Sequence, residues 1–490
     1  MRVIRLRAAP GQQGTEFLKA SYLAGSIWSG VNAAAALLVP LALFVYFARA
    51  VPPWQIGVVA YGLAWVEIVK IGLPLGLYEA LLAVEDYESY ARPAAGLLMA
   101  SAALGFAVYS GVMLAAPLWL PAAAKLMPFL IALGLKIVFD VLLVQPDVVI
   151  ARRLDFRRLA SRTLIANIGS AVFGICVGHL TSPLVGLVSY YILQSLVVWV
   201  TTIVGTNSLL APTLGWGKLR GIAKTAFLAT QVRSLATLNN FADQVIAGSF
   251  IPPAALARYN LGKRLEIAQI TASSSFNTIL FQPLFARRKD EEIARDYQRS
   301  LFMISVLSGV PTALLIANID TIISVAFGPH WAGAGPIAAA LAVSGFARAV
   351  GGVHGAYFSV SGKNAALRNR ALASAGAGVL IVCTTGMIGL LWISILLSLK
   401  NVAMTGWSAW MTRNLAPLSY YVKDVVGLVL IAAGAAWAGR WLGDRWLPHD
   451  QLGIFLTWGT SAATCAAAVG ALYLGETVAA VKSTLKLRQA

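Results

Sequence analysis

Runs of about twenty mostly apolar residues recur along almost the whole chain, each long enough to cross the hydrocarbon core of a bilayer as a helix. Lipid offers backbone N–H and C=O groups no partners, so such a run must satisfy them internally. Strict alternation of apolar and polar residues, the mark of a barrel strand, is absent, and the runs read as helices. Of 490 residues, 58% are hydrophobic and only 12% charged. Soluble domains carry about 25% charged residues. The expected fold class is therefore all-α, a polytopic integral membrane protein.

Fourteen spans are expected, at about 21–48, 55–78, 93–118, 126–149, 161–180, 183–206, 223–248, 257–283, 300–326, 334–359, 370–389, 390–411, 425–443 and 452–475. The eleventh and twelfth are separated by only a tight turn. The first run has no small-residue cleavage site and reads as a span rather than a removable signal. Orientation follows from Lys and Arg in short loops. One set of loops holds Arg2, Arg5, Arg7, Lys19, Arg92, the cluster Arg152 to Arg162, Lys218, Arg220, Lys224, Arg287 to Arg299, Lys363, Arg368, Arg370, Arg413, Lys423, Lys482, Lys486 and Arg488. The other holds Arg49, Lys125, Arg258, Arg440 and Arg445. Both termini are thus expected in the cytoplasm. The same asymmetry accounts for the net charge of +18, so nucleic acid is not an expected partner.

No loop has room for a soluble catalytic domain, and no GxxxxGK[ST] phosphate loop occurs. Cys176, Cys383 and Cys465 lie singly inside apolar runs, and the four histidines are scattered, so neither a metal nor a cofactor is expected.

A weak internal repeat is visible. Ala48 to Leu63 reads ARAVPPWQIGVVAYGL and Ala247 to Gly262 reads AGSFIPPAALARYNLG. Both place Pro-Pro just before a span, with a Tyr followed two residues later by Leu. Six spans separate the copies, which would make a parallel repeat. The expected organisation is a cytoplasmic tail at 1–20, an N-terminal lobe at 21–210, a C-terminal lobe at 218–412, accessory helices at 425–475 and a cytoplasmic tail at 476–490.

Three stretches carry a family resemblance. Val141 to Asn167 (VLLVQPDVVIARRLDFRRLASRTLIAN) resembles the region after the fourth helix of polysaccharide exporters in the multidrug/oligosaccharidyl-lipid/polysaccharide superfamily. Phe327 to Lys363, beginning FGPHWAGAGP, is similar to that family's junction between helices 9 and 10. Asn240 to Asp243, followed by Tyr259-Asn260-Leu261, resembles its helix 7–8 region with a membrane Asp. The resemblance covers most of residues 15 to 412. It departs from the usual pattern at the paired Lys263-Arg264 and at Glu67 with Lys70. It implies two six-helix lobes in a V shape, plus two extra C-terminal helices, working by alternating access. It further implies a flippase for a lipid-linked oligosaccharide on undecaprenyl diphosphate, serving surface polysaccharide assembly. Expected partners are that lipid, the membrane lipids, H+ or Na+ as coupling ion, and a polysaccharide polymerase with other assembly proteins. The alternative within the superfamily is a small-molecule or drug antiporter, which the basic interior disfavours. No concentrated catalytic cluster points to an enzyme.

Charges inside the spans indicate where such a substrate would bind. A charge at the bilayer centre costs roughly 2.5–3.5 kcal/mol, so each must be paired, snorkel to the surface or face a wet cavity. Lys136 with Asp140, Glu67 with Lys70 and Lys263 with Glu266 are spaced to pair on one helix face. Arg348 has no acid within four residues and needs one from another helix, or an anionic ligand; Arg264 has no obvious local acid either. Arg and Lys bind phosphate oxygens strongly. Candidate substrate-binding residues are therefore Arg348, Arg264, Lys263, Lys70 and Asn240. Asp243 and Glu67 are the candidate ion-coupling carboxylates, with pairing to a basic residue as the alternative for Asp243. Tyr61 and Tyr259 read first as interfacial anchors.

Overall fold

Two Pro-Pro pairs set the starting points of the helices at the middle of the fold. Proline fixes φ and lacks an N–H, which suits the first helical position. Pro52 and Pro252 both precede a helix with φ −54° and ψ 139°, and the helices Pro53–Gly72 and Pro253–Phe276 begin at the following prolines. They lie against each other along their length. Gly57 permits this: a Cβ there would sit 1.8 Å from the Pro253 carbonyl oxygen.

The computed structural model describes residues 38–153, 155–206, 212–213, 215–287, 290–386, 388–448 and 451–486. The basic residues of the N-tail, the first part of the first expected span, Arg288, Lys289, His449 and Arg488 lie outside them. Helix is the only regular secondary structure among the described residues. Eleven of the described helices are long and apolar enough to cross a membrane: Pro53–Gly72, Tyr87–Leu118, Pro121–Arg153, Arg157–Leu180, Pro183–Thr206, Glu292–Phe327, Gly335–Val360, Ala365–Thr385, Leu390–Met411, Leu418–Trp446 and Leu452–Tyr473. The chain is a multi-pass membrane protein. Leu38–Ala50 is a shorter apolar helix where the first span was expected. The helices at the seventh and eighth expected spans, Trp216–Gly248 and Pro253–Phe276, do not reach the same apolar standard. They carry Arg233, Asp243, Lys263, Arg264 and Glu266, and their polarity is the first structural pointer to a site.

The end of the second span differs from expectation. The second span was expected to run to residue 78, but its helix ends at Gly72, and a short helix, Leu77–Ala83, follows. Pro74 is the reason. The residue before a proline is pushed out of the helical region, and Leu73 is extended, with φ −96° and ψ 153°.

The first and second halves of the chain touch at both ends of the helices. At one end the Arg49 guanidinium donates to the Ala326 carbonyl at 2.7 Å and to that of Val325, and Trp331 Nε1 donates to the Ala48 carbonyl at 2.9 Å. At the other, Gly76 N–H donates to Thr230 Oγ1 at 3.0 Å, and Arg233 pairs with Glu79 at 2.7 Å. The last two long helices pack on each other, and the first of them packs on Val310–Phe327. Gly439 and Gly443 lie there against Ser461 and Thr457, a small-residue contact typical of membrane helices. Large apolar side chains such as Leu104, Val172, Leu228, Trp437 and Leu472 point outward, as a lipid-facing surface requires.

Candidate functional site

The two polar helices bring most of the candidate residues together. Tyr259, Lys263 and Glu266 are spaced four and three apart, which stacks them on one helix face. Asn240 and Asp243 share a face of Trp216–Gly248, and Ser344 and Arg348 share one of Gly335–Val360 in the same way. Lys263 Nζ lies 3.0 Å from Asp243 and 2.7 Å from Glu266. Glu266 also receives Arg348 at 3.0 Å and the Ser344 hydroxyl at 2.6 Å. Arg348 donates its other arm to Asn240 Oδ1, Tyr259 donates to Asp243 at 2.6 Å, and Asn401 donates to Ser344 at 2.7 Å. The side chains of Lys263, Glu266 and Asp243 are 3%, 1% and 8% exposed. Two acids and two bases thus neutralise one another, three of them almost fully buried and Arg348 21% exposed. Removing one partner of such a set leaves an uncompensated buried charge.

A second network is built the same way in the first half. Lys70 pairs with Glu67 at 2.7 Å and with Asp140 at 2.9 Å. Asp140 also holds Lys136 at 3.0 Å, and Lys136 donates to Ser195 at 2.9 Å. This network sits on the second, fourth and sixth expected spans. The first sits on the eighth, tenth and twelfth, with the seventh contributing Asn240 and Asp243. A shift of six spans maps one set of helices onto the other, the period of the Pro-Pro repeat.

Arg264 stands apart from both. Its Nε donates to Asn260 Oδ1 at 3.1 Å, and another nitrogen donates to the Tyr191 hydroxyl. Its guanidinium carbon lies 4.1 Å from the centre of the Phe44 ring. Tyr191 and Phe44 belong to the first half of the chain, so Arg264 bridges the halves. It makes no ion pair among the described residues. Its positive charge is held by neutral groups only.

The expected site residues therefore divide three ways. Arg348, Lys263, Asn240 and Asp243 converge in one network. Lys70 and Glu67 belong to the other, and Arg264 faces the opposite half. Asp243 and Glu67 each hold a lysine. Arg348 finds its acid on another helix, at Glu266. One reading needs correction. Tyr61 and Tyr259 are not interfacial anchors, since both are fully buried. Tyr61 accepts from Trp119 at 2.7 Å and lies 3.2 Å from Ser249 Oγ, while Tyr259 donates to Asp243. Arg233 is exposed and pairs with Glu79. Tyr191, Phe44, Ser195 and Ser344 carry no sequence signal of their own, because each acts across a long stretch of chain.

Residues 46–336 match the model of a family described as "Polysaccharide biosynthesis protein". No curated protein matches the sequence. Among solved structures, one described as "Lipid II flippase MurJ, inward closed conformation" superposes with a TM-score of 0.71 at 11% identity, covering 92% of this chain and 99% of that one. A multidrug resistance MATE family transporter of the MOP superfamily, inward-facing, gives a TM-score of 0.53 at 14% identity, covering 78% of this chain and 95% of its own. An outward-facing one gives 0.54 at 14% identity, covering 82% and 96%. At such identities the likeness is one of fold.

Proposed function

The chain belongs to the polysaccharide biosynthesis protein family, and from that premise we propose that it is a flippase carrying a lipid-linked oligosaccharide across a bacterial inner membrane for surface polysaccharide assembly. The carrier lipid is undecaprenyl diphosphate, and the chain works by alternating access between two six-helix lobes, with both termini in the cytoplasm. What supports this reading most is Arg264. It is a cation at the contact between the halves, within a helix of the central pair, and no acid pairs with it among the described residues. A diphosphate head group presents the paired oxygens that a guanidinium binds. Arg348, Lys263, Lys70 and Asn240 complete the proposed substrate-binding set, reached as the ion pairs open during the cycle. Asp243 and Glu67 are the proposed coupling carboxylates for H+ or Na+, each ion-paired to a lysine. The likeness to a lipid II flippase agrees with a lipid-diphosphate substrate. The drug antiporter reading has less support, because a cationic drug would meet Arg264 unscreened.

Deleting the gene in its host and profiling membrane lipids by mass spectrometry tests this. A complete repeat unit on undecaprenyl diphosphate should build up while surface polysaccharide is lost. Unchanged lipids and polysaccharide, with redundant transporters also removed, would contradict it.

A further inference from the structure

Lys400 borders the buried network and has no counter-charge paired to it among the described residues. It precedes Asn401 on Leu390–Met411, and its Nζ donates to the Ser374 carbonyl at 3.3 Å. It makes no ion pair among the described residues. Gly378 leaves room for it: a Cβ there would lie 3.3 Å from Nζ. Lys400 lines a small cavity together with Asn239, Asp243, Lys263, Glu266 and Asn401.

Every charged neighbour is already engaged. From Trp216–Gly248 comes Asp243, held by Lys263 and Tyr259. From Pro253–Phe276 come Lys263 and Glu266, and Glu266 is held by Lys263, Arg348 and Ser344. Gly335–Val360 contributes Arg348, paired with Glu266. The helix Ala365–Thr385 lends the cavity only neutral groups: Ser374, Ala375, Gly378 and Val379. Two acids and two bases balance, and the Lys400 ammonium is the charge left over. An uncompensated ammonium within a membrane span is unfavourable, and giving up the proton removes the penalty. Lysine does this readily when buried, whereas arginine does not.

We propose that Lys400 is a proton-binding site that couples protons to the conformational cycle. In the state seen here one Nζ–H bond breaks, the electron pair stays on nitrogen, and the proton leaves on cavity water. In a state where Asp243 or Glu266 lets go of Lys263 and faces the Lys400 amine, the amine takes a proton back from water. This rests on the transporter reading above and adds Lys400, beside Asp243, to its proposed coupling groups.

The test needs no substrate, so its failure leaves the flippase reading standing. Spin labels are placed at Arg153→Cys and Ser361→Cys, exposed residues after the fourth and tenth expected spans, with Cys176 and Cys383 changed to Ser. Distances are measured in the purified full chain from about pH 6 to about pH 11, which spans the ordinary titrations of histidine and lysine. The parent should show two distance populations whose ratio changes by up to about tenfold per pH unit, the response of a single proton. Lys400→Gln and Lys400→Arg should each hold one population across the range. Lys400→Arg keeps charge and bulk, so it remains decisive if Lys400→Gln does not fold. No pH response in the parent, or an undiminished response in Lys400→Arg, would overturn the proposal.

Discussion

The Arg264 guanidinium carbon lies 4.1 Å from the centre of the Phe44 ring, a cation–π contact joining the second half of the chain to the first. Such contacts are worth about 0.5–2 kcal/mol, too little to hold an unpaired charge in a membrane without help from Asn260 and Tyr191. Arg264→Ala should therefore leave protein levels near normal but abolish export of surface polysaccharide. Arg264→Lys should restore it only in part, since lysine lacks the paired donors. Quantitative immunoblotting beside a surface-polysaccharide assay checks both.

Glu266 is the hub of the buried network, and the effect of its loss should fall on stability. Glu266→Gln strips the counter-charge from Arg348 and half of that from Lys263. Breaking a buried ion pair from one side costs about 3–5 kcal/mol. Unfolding in mixed detergent micelles should show a loss of that order. A loss below about 1 kcal/mol, the range of an exposed pair, would mean the network is wet.

The first-half network predicts a rescue. Lys70→Met leaves Glu67 without its lysine and Asp140 with Lys136 alone. Adding Glu67→Gln removes the stranded charge, so the double variant should be more stable than Lys70→Met. Additive losses in the same unfolding assay would show that the pair does not interact.

Gly57 and Gly72 on the same helix make a matched comparison. A Cβ at 57 would lie 1.8 Å from the Pro253 carbonyl oxygen, while nothing lies within 4 Å of one at 72. Gly57→Ala should force apart the Pro53 and Pro253 helices and lower both stability and export. Gly72→Ala should be tolerated in both assays.

Much of this fold is legible in the sequence because the bilayer imposes a simple rule on length and polarity. The helix starts at Pro53 and Pro253 are also legible, since proline's preference for the first turn is local. The same holds for the pairs Glu67–Lys70, Lys136–Asp140 and Lys263–Glu266, whose spacing places them on one face. Contacts between distant segments are not. Nothing near Arg348 announces Glu266, 82 residues away, and nothing near Lys70 announces that Asp140 serves two lysines. Tyr61 misleads because a tyrosine near a span's end is commonly an anchor. It is buried instead because Gly248, with no side chain, lets the facing helix close over it. The end of the second helix at Gly72 was legible in Pro74, but the apolar run continues past it and hides the break.

The most direct measurement is translocation in proteoliposomes. Lipid-linked oligosaccharide recovered from a deletion strain is reconstituted with the purified chain. The fraction exposed to a membrane-impermeant sugar-oxidising reagent is then followed over time. The account predicts that wild-type protein moves the inner-leaflet pool outward, and that Arg264→Ala vesicles match protein-free ones. A wild-type rate equal to that of protein-free vesicles, or an Arg264→Ala rate equal to wild type, would contradict it.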